Sequence, residues 1–316
     1  MKTALTDDPN EAAALVRRGK LVAFPTETVF GLGADALNAE AVRGIFATKE
    51  RPADNPLIVH LARVNQIESV AARLPPAARR LAKRFMPGPL TLILPRRAEV
   101  PDATTAGLST VGVRVPRHPT ASTFLDACNV PVAAPSANVS GRPSPTTWQA
   151  VQRDLDGRIA VILHGEPVEV GLESTVVDAT GERSVVLRAG AVSLEALREV
   201  APDVQLADDA DDNEAPRSPG TKHRHYAPRA EVRLVDHPGD AATGPGAAFI
   251  GLDAPANKAA FGRVAVCDDV GGYAQRLFRF FRACDAEGLR VVFCQRVPPA
   301  GLGRALMDRI RRAAAG

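Results

Sequence analysis

Two cations stand two residues apart in a proline-rich segment of this 316-residue chain. Lys49 and Arg51 are followed by Pro52 and Pro56 in the stretch KERPADNPLIVH, which ends at His60. Proline disfavours helix and holds the residue before it extended, so we expect both cations on one side of an extended segment. A lysine ammonium beside an arginine fork is suited to binding phosphate groups. The alternative interpretation is a solvated charged loop.

Polar residues also accompany three apolar runs that predict buried strands. Residues 26–28, TET, follow the run 21–24, a cluster rich in serine, asparagine and proline follows the run 130–134, and Arg114 lies in the alternating segment TVGVRV. Side chains at strand ends contact ligands in open α/β sheets. Arg114 is therefore either an anion clamp or a salt-bridged surface residue. The polar cluster is either a floor of donors and acceptors for a nucleotide or a turn-rich surface loop.

The remaining pattern divides the chain into three parts. Residues 1–200 alternate strands and helices as an α/β domain, residues 201–229 form an acidic linker of low hydrophobicity, and residues 230–316 form a smaller βα-alternating domain. We predict helices at residues 9–19, 38–49, 64–70, 75–85, 119–127, 147–154, 193–200, 273–287 and 303–314, and strands at residues 21–24, 57–61, 90–94, 110–115, 130–134, 159–164, 172–178, 185–188, 231–236, 247–252, 262–266 and 289–293.

Composition narrows the class of protein. A hydrophobic content of 45% supports a full core, and a net charge of +3 fits anionic small ligands or weak contact with nucleic acid. The four cysteines form no CxxC pair, which favours idle thiols in a reducing compartment. The first ten residues lack the pattern of a signal peptide, and no apolar run approaches the roughly 18 residues of a membrane span. We therefore expect a cytoplasmic protein.

Two basic segments of the second half have less specific patterns. The linker carries SPGTKHRHYAP, in which His223 and His225 lack an evident third metal ligand, so we expect this segment to close over a bound anion. The last predicted helix carries four arginines, which we interpret as a solvated basic face, with RNA contact as the alternative. These are Arg304, Arg309, Arg311 and Arg312. In the first domain, Gly31 and Gly33 indicate a close approach of the backbone to another group.

Taken together, these motifs resemble the Sua5/YrdC family, the L-threonylcarbamoyladenylate synthases, in the two-domain Sua5 form. The resemblance covers nearly the whole chain and is carried by FPTETVFGLG, KERPADNPL, MPGPLTLIL, TVGVRVP, APSAN, ESTVVD and SPGTKHRHYAP. It departs at Phe30, where the family often has tyrosine. It implies an α/β fold with a YrdC-like twisted open mixed sheet, surrounding helices and a basic concave pocket. It also implies a smaller Rossmann-like α/β C-terminal domain.

The resemblance further implies a nucleotidyltransferase that joins L-threonine, bicarbonate or CO2, and ATP into threonylcarbamoyl-AMP and pyrophosphate. The product feeds the threonylcarbamoyl modification of adenosine 37 in tRNA through downstream transferase machinery. Mg2+ is expected on the ATP phosphates, with no organic cofactor. Lys49 and Arg51 would be catalytic. The threonine site would use Thr28, His60, Arg114, the backbone at Ala134, and Ser174. The ATP site would use Lys49, Arg51, Asn55, Thr110, Ser136, Asn138, Ser144, Arg188 and Tyr226.

Two other functions fit the same sequence. The first is a YrdC-like module that binds double-stranded RNA or tRNA on a basic concave face without catalysis. The second is a carbamoyl-transfer domain of the hydrogenase-maturation type, which shares the fold but normally lies beside zinc-finger and acylphosphatase-like segments that are not evident here. Threonine-dependent release of pyrophosphate distinguishes the synthase from both.

Overall fold

A computed structural model describes residues 2–207 and 226–315 of the chain. Most of the segment SPGTKHRHYAP, with both of its histidines, lies outside these residues, whereas Tyr226 lies inside them. The boundaries at residues 200 and 229 stay predictions. No helix in the described ranges combines the length and the apolar character that crossing a bilayer requires.

Eleven strands within residues 2–207 form one open mixed sheet. They are β1 (Ala4–Thr6), β2 (Val22–Phe24), β3 (Gly31–Asp35), β4 (Ile58–His60), β5 (Leu90–Pro95), β6 (Thr110–Arg114), β7 (Val132–Ala133), β8 (Val161–Leu163), β9 (Thr175–Asp178), β10 (Val185–Arg188) and β11 (Gln205–Leu206). Their order across the sheet is β1-β8-β2-β3-β7-β4-β6-β5-β9-β10-β11. Strands β4 and β6 are parallel neighbours, and β7 runs antiparallel to both β3 and β4.

Helices pack against this sheet along the same part of the chain. They are α1 (Pro9–Arg17), α2 (Ala39–Lys49), α3 (Pro76–Phe85), α4 (Asp102–Thr105), α5 (Pro119–Cys128), α6 (Trp148–Leu155) and α7 (Leu194–Val200). Asn38 begins α2 because its Oδ1 accepts hydrogen bonds from the amides of Glu40 and Ala41, both at 3.1 Å. The helix predicted at residues 64–70 is instead a short 3-10 helix, Val64–Ser69.

The second domain has a four-stranded parallel sheet, in the order β12-β15-β13-β14. Its elements are β12 (Glu231–Val235), β13 (Gly244–Gly251), β14 (Phe261–Val266), α8 (Val270–Ala286), β15 (Val291–Gln295) and α9 (Leu302–Ala314). This confirms the predicted Rossmann-like domain. Its core, which includes Phe278 and Phe281, also takes in Val29 and Leu172 from the first domain. The two domains therefore share one apolar interface.

The expectation of an extended segment at residues 49–51 was wrong, and strand β3 was not predicted. Residues 49–51 are not extended: Lys49 is the last residue of α2, and Glu50 ends the helix in the left-handed region with φ 54°. The glycine pair lies within strand β3, which the sequence pattern missed. A Cβ at Gly33 would lie 2.9 Å from a Val132 methyl and 3.0 Å from the Phe24 ring. The close approach at this glycine is to side chains of the core.

Candidate active site

Lys49 is placed by the end of helix α2 and points into the protein. Its side chain is 1% exposed, and its Nζ donates hydrogen bonds to the backbone carbonyl oxygens of Ser136 and Asn138. The Lys49 carbonyl accepts a 2.9 Å hydrogen bond from the Ser140 amide. Burial, and next the charge of Arg51, hold the pKa of the Lys49 ammonium well below its usual range. Lys49 therefore fixes the polar loop after strand β7 to the end of α2.

Arg51 follows the left-handed turn and is held by two backbone carbonyls. Its Nε donates to the Asn55 oxygen at 3.3 Å, and its Nη2 donates to the Pro56 oxygen at 3.2 Å. Burial is the main reason why the pKa of Arg51 falls to about 10, so the guanidinium stays charged at neutral pH. Lys49 and Arg51 are brought to one cavity by a helix end rather than by an extended segment.

Strands β4 and β6 place His60 and Arg114 side by side, because these residues are register partners in the parallel pair. Arg114 is buried and forms an ion pair with Glu27, with 2.8 Å between Nη2 and Oε2. The surface interpretation of Arg114 was therefore wrong. Burial, and next the charge of Arg114, lower the pKa of His60 to about 3, so its imidazole is neutral at physiological pH. The neighbouring Thr28 hydroxyl lies 2.8 Å from that of Thr26.

Ser174 and Arg188 form the opposite wall, at strands β9 and β10. Arg188 Nη2 donates to the Ser174 carbonyl at 3.0 Å and contacts Ser174 Oγ at 3.2 Å. Ser174 Oγ also lies 2.8 Å from Thr91 Oγ1. Both Ser174 and Arg188 are buried. The arginine thus presents a cation beside the serine hydroxyl.

These side chains surround one cavity. Eleven of the fourteen predicted site residues line it: Thr28, Lys49, Arg51, His60, Arg114, Ala134, Ser136, Asn138, Ser174, Arg188 and Tyr226. Thr26, Val29, Gly31, Ile58, Pro135, Ser140 and Glu173 complete the lining. Within the described part of the chain, Asn138 Oδ1 and Ser140 Oγ are buried without a hydrogen-bond partner. Buried polar atoms of this kind are available to a ligand.

Three predicted residues lie outside the lining. Asn55 is buried, and its carbonyl oxygen accepts the hydrogen bond from Arg51 Nε. Ser144 is also buried and donates a 2.6 Å hydrogen bond to Glu173 Oε1. Thr110 begins β6, at the end of the strand away from Arg114. The roles predicted for these three residues stay predictions.

Glu173 lines the cavity and Arg309 contacts it, but neither was assigned to the site from the sequence. Arg309, on α9 of the second domain, is completely buried and donates to Glu173 Oε2 at 2.8 Å. The prediction that it lies on a solvated face was wrong. A signal was present, because position 309 is seven residues after Leu302 and four after Ala305, on the apolar stripe of the helix.

A carboxylate free to hold a metal ion is missing from the described lining. Glu173 is the cavity's carboxylate there, and its two oxygens are taken by Ser144 and Arg309. No cluster of three or more His, Cys, Asp or Glu side chains with metal-binding geometry occurs within residues 2–207 and 226–315. The described residues therefore offer no set of carboxylates for a resident metal ion.

An open mixed sheet whose strand ends carry a cavity lined by lysine and arginine side chains is typical of a protein that binds an anionic ligand. Comparison with known proteins identifies its family. The Sua5/YciO/YrdC family model, described as telomere recombination, matches residues 14–190. The model of the threonylcarbamoyl-AMP synthase C-terminal domain matches residues 192–315. The chain belongs to the Sua5/YrdC family, in the two-domain form of the threonylcarbamoyl-AMP synthases.

Relatives match over almost the full length. The threonylcarbamoyl-AMP synthase of Pyrococcus abyssi is 43% identical over 314 residues, which cover 96% of this chain and 92% of the relative. That of Bacillus subtilis is 40% identical over 330 residues, with coverages of 98% and 94%. The crystal structure of P. abyssi Sua5 complexed with L-threonine has a TM-score of 0.90 at 38% identity, and the match covers 99% of this chain and 97% of that one.

Proposed function

We propose that this protein is an L-threonylcarbamoyladenylate synthase that joins L-threonine, bicarbonate or CO2, and ATP, and releases pyrophosphate. One observation carries the proposal: a single cavity unites the Lys49 and Arg51 cations with the neutral His60 and the charged Arg114. The first pair suits the phosphates of ATP, and the second suits the carboxylate and polar groups of an amino acid. The similarity to a threonine-bound relative supports this division.

The reaction needs no nucleophile from the protein. The threonine amine adds to CO2 and loses a proton, which gives a carbamate. A carbamate oxygen then forms a bond to the α-phosphorus of ATP, and the bond to the leaving pyrophosphate breaks. The chain's residues orient the two substrates and stabilise the negative charge that shifts to the leaving group. Lys49 and Arg51 are the cations placed to do so.

Threonine selectivity follows from polar groups fixed on the cavity wall. Thr28, His60 and Ser174 present hydroxyl and imidazole groups that suit the threonine hydroxyl or amine. Valine has the same shape but lacks the hydroxyl, so it would leave such groups unpaired in a buried site. Arg114 supplies a planar fork for the carboxylate. We therefore expect threonine to be preferred over valine by about 100-fold or more in kcat/KM.

The product would serve a downstream transferase that modifies adenosine 37 of tRNA, and we place the enzyme in the cytoplasm with that machinery. The mildly basic net charge of +3 is compatible with weak tRNA contact. We propose that the substrate is the Mg2+ complex of ATP. Tyr226, which lines the cavity, would help to protect the carbamate and the mixed anhydride from water.

The test is to incubate the protein with ATP, Mg2+, bicarbonate and each amino acid in turn. Pyrophosphate release and the mass of the adenylate are then measured. We expect both to require threonine and bicarbonate together, with valine and serine as matched controls. Binding of RNA without threonine-dependent pyrophosphate release would instead support the non-catalytic module.

A further inference from the structure

Arg309 connects the second domain to the cavity of the first. Among the described residues, Arg309 is one of the largest side chains that are fully buried, although its helix carries three other arginines. Burying a guanidinium is costly unless its donors find charged or polar partners. Its partners therefore indicate what the second domain does for the cavity.

Three of these partners belong to the cavity or border it. Arg309 Nε donates to Glu173 Oε2 at 2.8 Å, and Nη2 donates to the Ala189 carbonyl at 2.9 Å, next to Arg188. Its Cζ lies 5.2 Å from the ring centroid of Tyr226. The remaining nitrogen, Nη1, bonds the neighbouring Asp308. The Arg309 guanidinium thus contacts two residues of the cavity lining, Glu173 and Tyr226.

The contact with Tyr226 holds an unusual backbone geometry. Tyr226 has φ 67°, in the left-handed region that non-glycine residues rarely adopt, and its ring is buried. Phe278 of α8 stacks on this ring, with centroids 5.4 Å apart and planes 23° apart. Arg309 and Phe278 of the second domain therefore hold the Tyr226 ring against the cavity.

Glu173 is shared between the two domains. Its Oε2 takes Arg309, and its Oε1 accepts the 2.6 Å hydrogen bond from Ser144. Glu173 also precedes Ser174, whose carbonyl and hydroxyl hold Arg188. A change in Arg309 would therefore reach Tyr226 and, through Glu173 and Ser174, the wall that carries Arg188.

We infer that Arg309 is a positioning residue: from the second domain, it fixes Glu173 and Tyr226 so that the cavity is shaped for the nucleotide. The inference rests on the proposed function, because it assigns the contacted wall to ATP. It gives the second domain a specific task in substrate binding. A role confined to stabilising the domain interface would leave the substrate KM values unchanged.

The experiment measures steady-state pyrophosphate release by the full chain with Arg309→Met. We expect the KM for ATP to rise about tenfold or more, while the KM for threonine and kcat at saturating ATP change by less than about threefold. Arg309→Lys keeps a charge for Glu173 but loses the planar fork, so its KM for ATP should lie between those of Arg309→Met and the unchanged protein.

The matched control is Arg304→Met, on the same helix. Arg304 also connects the domains, through a 3.4 Å ion pair with Glu195, but this pair is partly exposed and outside the cavity lining. We expect its kinetic constants to stay within about twofold of the unchanged protein. A rise in the KM for ATP equal to that of Arg309→Met would overturn the inference.

A double-variant cycle with Tyr226→Leu tests the route of the effect. If Arg309 acts partly through Tyr226, Arg309→Met should raise the KM for ATP by a factor about threefold or more smaller when Tyr226 is already Leu. Full additivity, or an unchanged KM for ATP in Arg309→Met, would refute the inference. If Arg309→Met does not fold, Arg309→Lys and direct calorimetric titration with ATP decide instead. Failure of the unchanged protein to form the adenylate would refute the proposed function rather than this inference.

Discussion

Replacing Lys49 by methionine tests how the cavity is organised. Methionine has similar length and no charge, so the substitution removes the hydrogen bonds to the carbonyls of Ser136 and Asn138. A buried acceptor left without its donor costs about 1–3 kcal/mol, and a partly exposed one costs less because water replaces the donor. Asn138 is buried and Ser136 is half-buried. Because loss of a buried charge beside Arg51 offsets part of this cost, we expect a net destabilisation of about 2 kcal/mol.

The effect on activity should exceed the effect on stability. Lys49 ties the loop of residues 136–140 to helix α2 and supplies a cation at the predicted phosphate site. We expect kcat/KM for ATP to fall about 100-fold or more, which corresponds to about 2.7 kcal/mol of transition-state stabilisation. Arg51 cannot replace Lys49 in anchoring the loop, because it holds the carbonyls of Asn55 and Pro56 rather than those of Ser136 and Asn138.

The assay is threonine-dependent pyrophosphate release, measured at a temperature where urea unfolding shows each variant to be folded. Lys83→Met is the control, since Lys83 is exposed in the last turn of α3 and lies outside the cavity lining. Activity of Lys49→Met within about threefold of this control would refute the role of Lys49 as a cavity cation. Loss of activity without any change in stability would refute its role in anchoring the loop.

Two further predictions concern the amino-acid side of the cavity. His60 has a pKa of about 3 in the folded protein. The unfolded chain, with a histidine pKa of about 6.5, binds one more proton between these values, so falling pH destabilises the fold by about 1.4 kcal/mol per unit from 6.5 towards 3. Urea unfolding gives the difference in the free energy of unfolding between pH 7 and pH 5. We expect this difference to be about 2 kcal/mol smaller in His60→Gln than in the unchanged protein. An equal difference in the two proteins would contradict a buried neutral imidazole. Arg114→Lys should raise the KM for threonine about tenfold and leave that for ATP within about twofold, because the bidentate fork is lost. The control is Arg117→Lys, because Arg117 is an exposed arginine close in sequence. If Arg114→Lys raised the KM values for threonine and ATP equally, Arg114 would not be the residue that binds the threonine carboxylate.

Much of the fold was predictable because local signals and the final packing agree. Helix α2 has an Asn38 cap, and the strands β4 and β6 are apolar runs that end near polar residues. Strand β3 was missed because glycine has low strand propensity, and the positions of the Phe24 ring and the Val132 methyl show why a larger side chain would not fit at Gly33. Its neighbour on one side, β2, is adjacent in sequence, but its neighbour on the other side, β7, comes from a distant segment that periodicity cannot reveal.

The burial of Arg309 shows a different limit. Its place on the apolar stripe of α9 was visible in the sequence, but four arginines in one helix favoured a solvated face. What makes the burial stable is a partner 136 positions away, Glu173, and a tyrosine ring from a third segment. A charge in a core is interpretable only when its counter-charge is known, and pairing across domains is a property of the tertiary structure.

Lys49 and Arg51 are held differently from Arg309. Arg309 is paired with the Glu173 carboxylate, which holds its guanidinium rigidly in place. Lys49 and Arg51 instead donate to backbone carbonyl oxygens, whose dipoles orient the two side chains. Groups fixed in this way need little reorganisation when negative charge develops on a bound phosphate. A reaction without a protein nucleophile depends on charges fixed in this way.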